Sequence, residues 1–280
     1  MTPLRLLVLD AYAPDGRAAL RSAGATEAGR LYEKLLRELA PDADIGITYP
    51  ADPDPELPEG DDLAALDGVV WTGSSLTIHH EDDPRVARQL GFARAVYRAG
   101  VPAFGSCWAA QLAVVSAGGR CAPSPRGREF GVARRIELSA AGRAHPLYAE
   151  KPAIFDGFTS HEDEVVSLSN GAEPLASNAW SRIQAVSVAH DGGRFWAVQY
   201  HPEYDLHEVA SLCRLRRDEL VAQGSFQDTG AAERYADELE SLHADPSDPE
   251  RAAALGIGPD LLDPAIRTRE VRNWLASLRP

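Results

Sequence analysis

Residues 101–111 read V-P-A-F-G-S-C-W-A-A-Q and predict a sharp junction between a buried strand and a helix. The strand is expected over Val101–Phe104 and ends at Gly105, and a helical pattern begins close to Cys107. Such a turn lifts its central side chain above the strand end, and small neighbours let the backbone fold back. The helix N-terminus favours a thiolate at Cys107, and the N–H of Trp108 can donate to an oxyanion. The pattern predicts a nucleophile, with a buried structural cysteine as the alternative.

A second segment, residues 195–203, reads F-W-A-V-Q-Y-H-P-E and predicts an apolar strand that ends in a rigid turn. A cysteine nucleophile needs a base within hydrogen-bond reach, and the base needs an acceptor that orients it. His201 and Glu203 can fill these two roles, whereas a solvated histidine in a surface turn is the alternative. Both segments follow strands, where open α/β sheets place their sites. Together they predict a catalytic group of Cys107, His201 and Glu203.

Strand and helix patterns alternate over the first 120 residues and predict an α/β fold, with an open, mostly parallel sheet and helices on both faces. The elements expected there are the strands Leu4–Leu9, Asp44–Tyr49, Asp67–Trp71 and Val101–Phe104 and the helices Ala25–Leu39, Pro84–Arg98 and Cys107–Gly118.

A smaller antiparallel strand region is expected next, followed by helices. The turn Asp191-Gly192-Gly193 predicts a hairpin between Ile183–His190 and Arg194–Tyr200. Beyond Tyr204 the strand pattern ends. The other elements expected are the strands Phe130–Leu138, Ala153–Phe158 and Val165–Leu168 and the helices His207–Gly224, Ala231–His243 and Pro264–Leu278, with a loop connection over Asp245–Asp263. We therefore divide the chain into an α/β domain, residues 1–205, and a helical C-terminal extension, residues 206–280.

Composition excludes several classes of function. The chain has 42 acidic and 28 basic residues and a formal charge of −14, which argues against nucleic acid or an anionic membrane as the main partner. Three cysteines make no disulfide framework, and no apolar run approaches the ~20 residues of a membrane helix. With no visible secretory signal, we expect a cytoplasmic protein. His79-His80-Glu81-Asp82-Asp83 contains metal-ligand residue types, but consecutive side chains rarely reach one ion, so neither a metal nor a cofactor is expected.

The two segments together resemble the motifs of the class I, or triad, glutamine amidotransferases, and within them the glutaminase domain of GMP synthase. Gly105, Cys107 and Gln111 match the family motif G-x-C-x-G-x-Q, and the family motif H-P-E is complete at residues 201–203. Ala109 stands where the family usually has glycine. Its added methyl could be absorbed by small neighbours, or it could tilt the helix and loosen the oxyanion hole.

Three more segments match the family in the same order along the chain. They are the small-residue loop Trp71–Ser75, the R-E-F-G segment Arg128–Gly131 and the S-H-x-D-x-V segment Ser160–Val165. The resemblance covers roughly Leu4–Tyr204. It implies that Gly73 and Trp108 hold the oxyanion and that Gln111 holds the amino-acid end of glutamine. Ser160 and His161 would lie beside the glutamine pocket, which His161 and Asp163 help to shape.

The resemblance implies hydrolysis of the side-chain amide of glutamine through a γ-glutamyl thioester. The substrate would be L-glutamine or a γ-glutamyl small molecule. Since neither G-x-x-x-x-G-K-[ST] nor S-G-G-x-D-S occurs in the chain, the ammonia would pass to a separate synthetase. A free-standing hydrolase of γ-glutamyl amides or peptides is the alternative, and an inactive binding or regulatory protein is the second alternative. Each of these three functions is compatible with a homo-oligomer.

Overall fold

A nine-stranded sheet forms the centre of the computed structural model, which describes residues 2–278. The strands are β1 (Arg5–Leu9), β2 (Asp44–Thr48), β3 (Gly68–Trp71), β4 (Ala103–Ser106), β5 (Arg120–Pro123), β6 (Glu129–Leu138), β7 (Ile154–His161), β8 (Asp163–Ser167), β9 (Ala172–Ser177), β10 (Ala185–His190) and β11 (Gly193–Val198). The helices are α1 (Pro14–Ser22), α2 (Ala28–Leu39), α3 (Gly60–Ala64), α4 (Pro84–Ala99), α5 (Trp108–Ser116), α6 (Ala140–Ala144), α7 (Leu206–Leu215), α8 (Arg217–Ala222), α9 (Thr229–Ala244), α10 (Pro249–Leu255), α11 (Pro259–Leu262), α12 (Pro264–Arg267) and α13 (Arg269–Ser277).

The sheet has the strand order β2-β1-β3-β4-β11-β10-β9-β6-β7. Strands β2, β1, β3, β4 and β11 run parallel, and the strands from β11 to β7 pair antiparallel. Strands β5 and β8 form a separate two-stranded antiparallel sheet. The expected α/β class is confirmed, and so is the hairpin of β10 and β11. The carboxyl ends of β3, β4 and β11 lie side by side, which brings together the loops that follow them.

Helices cover both faces of the sheet, so its central strands are apolar on both sides. All four residues of β3 are buried. On one face α4 and α5 pack against β3, and the rings of Trp71 and Phe92 have their centroids 5.6 Å apart. On the other face α2 and α13 pack against the same strands, and Trp274 lies 5.8 Å from Phe104 between ring centroids.

The C-terminal helices bury an apolar face of their own. Leu212 of α7 and Leu239 of α9 pack in one cluster with Leu20 of α1. Helix α13 also contributes Glu270, which forms a buried ion pair of 2.9 Å with Lys151. Helices after residue 205 therefore contact the α/β region at two places, and the division at residues 205 and 206 stays a prediction. Among the described residues no helix combines the length and the apolar character that crossing a bilayer requires.

Several elements differ from the sequence-based expectations for local reasons. Helix α1 and strand β9 were not expected, and the connection expected over Asp245–Asp263 contains α10 and α11. Helix α10 is well capped, because Asp248 accepts from two backbone N–H groups and Pro249 occupies the first turn. The expected helix over residues 264–278 is interrupted at Thr268, whose hydroxyl donates to the carbonyl of Pro264 at 2.7 Å. The expected helix over residues 207–224 is interrupted at Arg216.

Candidate active site

Cys107 occupies the turn between β4 and α5 in a strained backbone conformation, with φ 55° and ψ −103°. Few residues other than glycine adopt a positive φ, and such strain is concentrated at functional sites. The N–H of Cys107 donates to the carbonyl of Val198 at 2.8 Å, and its carbonyl accepts from the N–H of Ala110 at 3.0 Å. The end of β11 and the first turn of α5 thus hold the thiol above the sheet.

Gly105 and Ala109 fit together beneath this turn. A Cβ atom at Gly105 would lie 2.2 Å from the carbonyl oxygen of Trp71 and 2.4 Å from the Cβ of Ala109. Ala109 itself is fully buried. The methyl of Ala109 therefore fills the space that Gly105 leaves open, and the departure from the family motif is absorbed by a neighbouring glycine.

His201 and Glu203 follow β11 and form a buried pair. Nδ1 of His201 lies 2.7 Å from Oε1 of Glu203. The hydroxyl of Ser106 donates to the same Oε1 at 2.7 Å. The ring of Tyr204 is stacked on the imidazole with centroids 3.8 Å apart. Carboxylate, hydroxyl and aromatic ring together fix the plane of the imidazole.

The charge of His201 is set by competing effects. Burial by itself lowers the pKa of His201, but the neighbouring Glu203 carboxylate and Cys107 side chain outweigh burial and raise the pKa to about 9. The imidazole is consequently protonated at neutral pH. A cationic imidazole beside a cysteine is the arrangement that activates a thiol as a nucleophile.

Gly73 lies in the loop after β3 and lets this loop approach the cysteine. A Cβ atom at Gly73 would lie 2.9 Å from Cε1 of His201 and 3.6 Å from the Cβ of Cys107. Trp108 begins α5, so its backbone N–H has no partner within the helix. Its indole donates to Oε1 of Gln89 at 3.1 Å, which anchors the residue. The backbone of Gly73 and of Trp108 therefore adjoins Cys107.

The thiol opens into a cavity of about 650 Å³, within the usual range of small-molecule sites. The sulfur of Cys107 lies 3.9 Å from the carbonyl oxygen of Ser160. Nε2 of Gln111 donates to the carbonyl of Asp163 at 3.2 Å. The loop after β3 lines the cavity with residues 74–77, 79 and 80, and three further structural regions contribute to the lining. They are the S-H-x-D-x-V segment with Ser160, His161, Glu162 and Asp163, the α1 region with Tyr12, Gly16, Ala19 and Leu20, and the end of α7 with Leu215 and Arg216.

Both ring nitrogens of His161 are engaged inside the protein. Nε2 pairs with Glu129 at 2.9 Å, and Nδ1 lies 2.9 Å from the carbonyl of Asp163. Glu129, from the R-E-F-G segment, also accepts from the amides of Asn178 and Gln184. His161 itself lines the cavity, and these contacts hold its ring in place. Its role in shaping a glutamine pocket stays a prediction.

Four residues of the site were missed in the sequence. Ser106 lies inside the first motif and Tyr204 directly follows the second, and these positions were the available signal. Tyr12 follows the end of β1, where a parallel sheet places site residues. Arg216 carries no local signal, because the pattern around it indicates a continuous helix.

The run of residues 79–83 borders the cavity through its two histidines. Nδ1 of His79 is 3.7 Å from Oδ2 of Asp163, and His79 and His80 line the cavity together. Within residues 2–278 there is no group of three or more His, Cys, Asp or Glu side chains suited to a metal ion.

The family model for glutamine amidotransferase class-I matches residues 59–212, which include both motif segments and the loop after β3. The chain belongs to the class I glutamine amidotransferases. Enzymes of this family hydrolyse amides, and cysteine is their characteristic nucleophile. The chain is thus an amidase that carries its family's nucleophile type at the strained turn.

This amidotransferase matches nearly the whole length of some relatives and only a part of others. A γ-glutamyl-L-1-hydroxyisopropylamide hydrolase of Pseudomonas is 35% identical over 99% of this chain and 94% of the relative. A glutamine-hydrolysing GMP synthase of Thermomicrobium roseum is 34% identical over 49% of this chain but only 23% of the synthase. The crystal structure of a glutamine amidotransferase from Thermotoga maritima has a TM-score of 0.65 at 15% identity and covers 98% of this chain and 97% of its own, which shows a shared fold.

Proposed function

We propose that this amidotransferase hydrolyses the amide bond of γ-glutamyl amides whose nitrogen carries a small substituent. The full-length match to a γ-glutamyl-L-1-hydroxyisopropylamide hydrolase carries the proposal, because it extends over 99% of this chain and 94% of the relative. The GMP synthase match, in contrast, covers only 23% of that synthase. This supports the free-standing γ-glutamyl amide hydrolase, which the sequence analysis gave as the alternative to a glutaminase with a synthetase partner.

The proposed reaction begins with attack of the Cys107 thiolate on the γ-carbonyl carbon. The backbone N–H groups of Gly73 and Trp108 stabilise the oxyanion of the tetrahedral intermediate. The C–N bond then breaks, and the His201 imidazolium gives its proton to the leaving amine. Water next attacks the γ-glutamyl thioester while His201 takes up a proton. The products are glutamate, the free amine and the restored thiolate–imidazolium pair.

The other proposed site residues hold the reacting groups in place. Glu203 fixes the tautomer and plane of His201 and stabilises its cationic form over the 2.7 Å contact. Gln111 and Ser160 contact the glutamyl part, with His161 behind them. The cavity also includes Gly16, Ala19 and Leu20, whose small or apolar side chains suit an alkyl group on the amide nitrogen.

A glutaminase that supplies ammonia to a separate synthetase is the second candidate. The GMP synthase relatives favour it, because their matched part lies in a glutamine-hydrolysing enzyme. The same residues would act in the same steps, with ammonia as the leaving group. The buried His201–Glu203 pair and the strained Cys107 support an active enzyme over the inactive binding protein that we also considered.

A substrate comparison tests the proposal. L-Glutamine, γ-glutamyl-L-1-hydroxyisopropylamide, γ-glutamyl isopropylamide and γ-glutamyl-L-alanine are incubated with the protein, and the released glutamate is measured. We expect kcat/KM for at least one N-substituted amide to exceed that for glutamine by roughly tenfold or more, as occupation of a fitted apolar pocket allows.

Two variants serve as matched controls. Cys107→Ala is expected to abolish release, whereas Cys121→Ala, at a buried cysteine outside the catalytic group, is expected to keep it. Glutamine as the best substrate, or turnover that requires a synthetase, would refute the proposal in favour of the second candidate.

A further inference from the structure

Arg216 places a cation at the wall of the catalytic cavity. It lies at the junction of α7 and α8, in the region that follows residue 205. Its Nη1 donates to the hydroxyl of Ser160 at 3.1 Å. The carbonyl oxygen of the same serine lies 3.9 Å from the sulfur of Cys107. Ser160 therefore lies between the guanidinium of Arg216 and the sulfur of Cys107.

Within the described part of the chain, the ion pairs around the cavity leave Arg216 without an acidic partner. Arg128, the other arginine of the lining, binds Glu162 at 2.8 Å and Glu219 at 2.5 Å. Among residues 2–278 no carboxylate lies within 4.0 Å of the nitrogens of Arg216. A guanidinium has five N–H donors, and that of Arg216 gives one side-chain hydrogen bond within this part of the chain. In a chain of net charge −14, this cation has charge and donors free for a ligand.

We propose that Arg216 binds a carboxylate group of the substrate. The planar guanidinium matches a carboxylate with two parallel hydrogen bonds, and a half-buried position strengthens such a pair relative to water. The inference rests on the proposed function and specifies its substrate class. The carboxylate has two sources: the α-carboxylate of the glutamyl group, or a carboxylate on the amine part, as in a γ-glutamyl amino acid.

The position of Arg216 gives the C-terminal helices a part in the site. Helix α7 ends at Leu215, and α8 begins at Arg217, so the interruption between them falls at the residue that reaches Ser160. Helix α7 is held against α1 and α9 by buried apolar side chains. The packing of the region after residue 205 therefore fixes where the guanidinium lies relative to Cys107.

The test uses full-length Arg216→Gln, with Arg217→Gln as the matched control on the adjacent, exposed arginine. Two substrates form the key pair, γ-glutamyl-L-alanine and γ-glutamyl-L-1-hydroxyisopropylamide, which differ by a carboxylate in place of a hydroxymethyl group. Both are also prepared with the α-carboxylate converted to an amide. We expect Arg216→Gln to raise KM roughly 10- to 100-fold for substrates that present the bound carboxylate, with kcat little changed. Arg216→Lys should recover part of the loss.

The pattern across the four substrates identifies the source. An increase for both α-carboxylate substrates, and none for their α-amides, assigns Arg216 to the glutamyl α-carboxylate. An increase for γ-glutamyl-L-alanine that persists in its α-amide, and none for the hydroxyisopropylamide, assigns it to the amine part. Unchanged kinetics, or an equal loss with all four substrates, would overturn the proposal, since a merely structural role does not distinguish charged from neutral ligands.

A binding measurement separates this inference from the proposed function. Affinities of the same four ligands are measured by calorimetry on Cys107→Ala and on the double variant Cys107→Ala/Arg216→Gln, so no turnover is needed. A carboxylate-dependent loss of affinity in the double variant supports the role of Arg216 even if the wild-type enzyme prefers glutamine. Equal affinities in the two proteins, or no binding to either, would overturn it.

Discussion

His201 shows how individual residues set the chemistry of the site. Its imidazole is buried, and its Nδ1 lies 2.7 Å from Oε1 of Glu203. Burial alone would favour the neutral ring, but the carboxylate and Cys107 raise its pKa to about 9. This pKa exceeds the ordinary value of about 6.5. The pair therefore contributes to the free energy of unfolding, and the contribution is fully present below pH ~6.5. That contribution is lost as the pH rises through about 9.

Glu203→Gln removes the charge that holds this proton while keeping the side-chain shape. We expect kcat to fall roughly tenfold to a thousandfold, short of the ~10⁴ and more expected when the nucleophile is lost. The alkaline limb of the kcat/KM profile, expected near the pKa of about 9, should move to lower pH because the carboxylate no longer opposes the effect of burial. Turnover measured between pH 6 and 10 checks both.

Ser106→Ala serves as the control for that variant, since it removes a hydrogen bond to Glu203 and leaves the charge in place. Its profile should keep the wild-type alkaline limb. If Glu203→Gln matched the wild type at saturating substrate, Glu203 would not be the third catalytic residue.

The three cysteines are expected to differ in reactivity. Burial raises the pKa of the Cys121 thiol well above its ordinary value and that of Cys213 to about 12, whereas Cys107 has a protonated imidazole beside it. We therefore expect 6-diazo-5-oxo-norleucine, a glutamine-shaped electrophile, to label Cys107 first. Peptide mapping locates the adduct, and an adduct mainly on Cys121 or Cys213 would contradict the assignment.

The packing under the nucleophile predicts a small loss of stability for one substitution and a severe loss for another. Ala109→Gly removes a buried methyl and should lower the free energy of unfolding by about 1 kcal/mol, while turnover stays equal or rises a few-fold. Gly105→Ala should prevent normal folding, because its Cβ would lie 2.2 Å from the carbonyl oxygen of Trp71. Urea unfolding and turnover at equal folded concentration measure both. A turnover loss in Ala109→Gly at unchanged stability would mean that the methyl shapes the substrate pocket.

At the scale of elements, α13 depends on a buried charge pair. Lys151 Nζ lies 2.9 Å from Oε1 of Glu270, and the two side chains are 2% and 0% exposed. The hydroxyl of Tyr200 donates to the same carboxylate at 2.5 Å. The Lys151 cation thus balances the charge of Glu270, and the hydroxyl adds a hydrogen bond. The pair joins α13 to the segment that precedes β7.

Lys151→Met tests this connection, because it leaves the carboxylate buried without its cation. We expect the free energy of unfolding to fall by about 3–5 kcal/mol. The double variant Lys151→Met/Glu270→Gln should recover much of the loss, since no uncompensated charge remains. As a control, Lys34→Met changes the other lysine of the chain, which is exposed, and should alter the free energy of unfolding by less than ~0.5 kcal/mol. Equal stabilities of Lys151→Met and wild type would show that α13 is held by its apolar side chains alone.

The sequence predicted those elements whose signals are local. The strand, turn and helix around Cys107 and the turn at His201 each lie within about ten residues, and their patterns indicated the candidate catalytic group. The alternation of such local strand and helix patterns over the first 120 residues indicated the fold class. Contacts between distant residues had no such signal. Arg216 meets Ser160 across 56 positions, and the helical pattern around Arg216 gave no sign of an interruption. Helix α1 was missed although Pro14 at its first turn offered a start signal.

For the whole molecule, we predict that the helices after residue 205 remain docked. Their apolar side chains pack against α1 and beneath the sheet, so limited trypsin digestion should leave residues 206–278 protected together with the α/β region. Mass spectrometry of the digest identifies the cleavage sites. Rapid cleavage throughout this region with an intact, active remainder would contradict both the docking and the role proposed for Arg216.

The position of Trp274 affects how the chain acquires its structure during synthesis. Its ring covers Gly68 of β3, where a Cβ atom would lie 2.9 Å from it. At ribosomal rates of about 5–20 residues per second, the roughly 200 residues between them take on the order of 10–40 s to synthesise. During that time the part of this apolar sheet face that α13 covers remains exposed, although α2 has already been made. We therefore expect newly made chains to be clients of chaperones until α13 emerges.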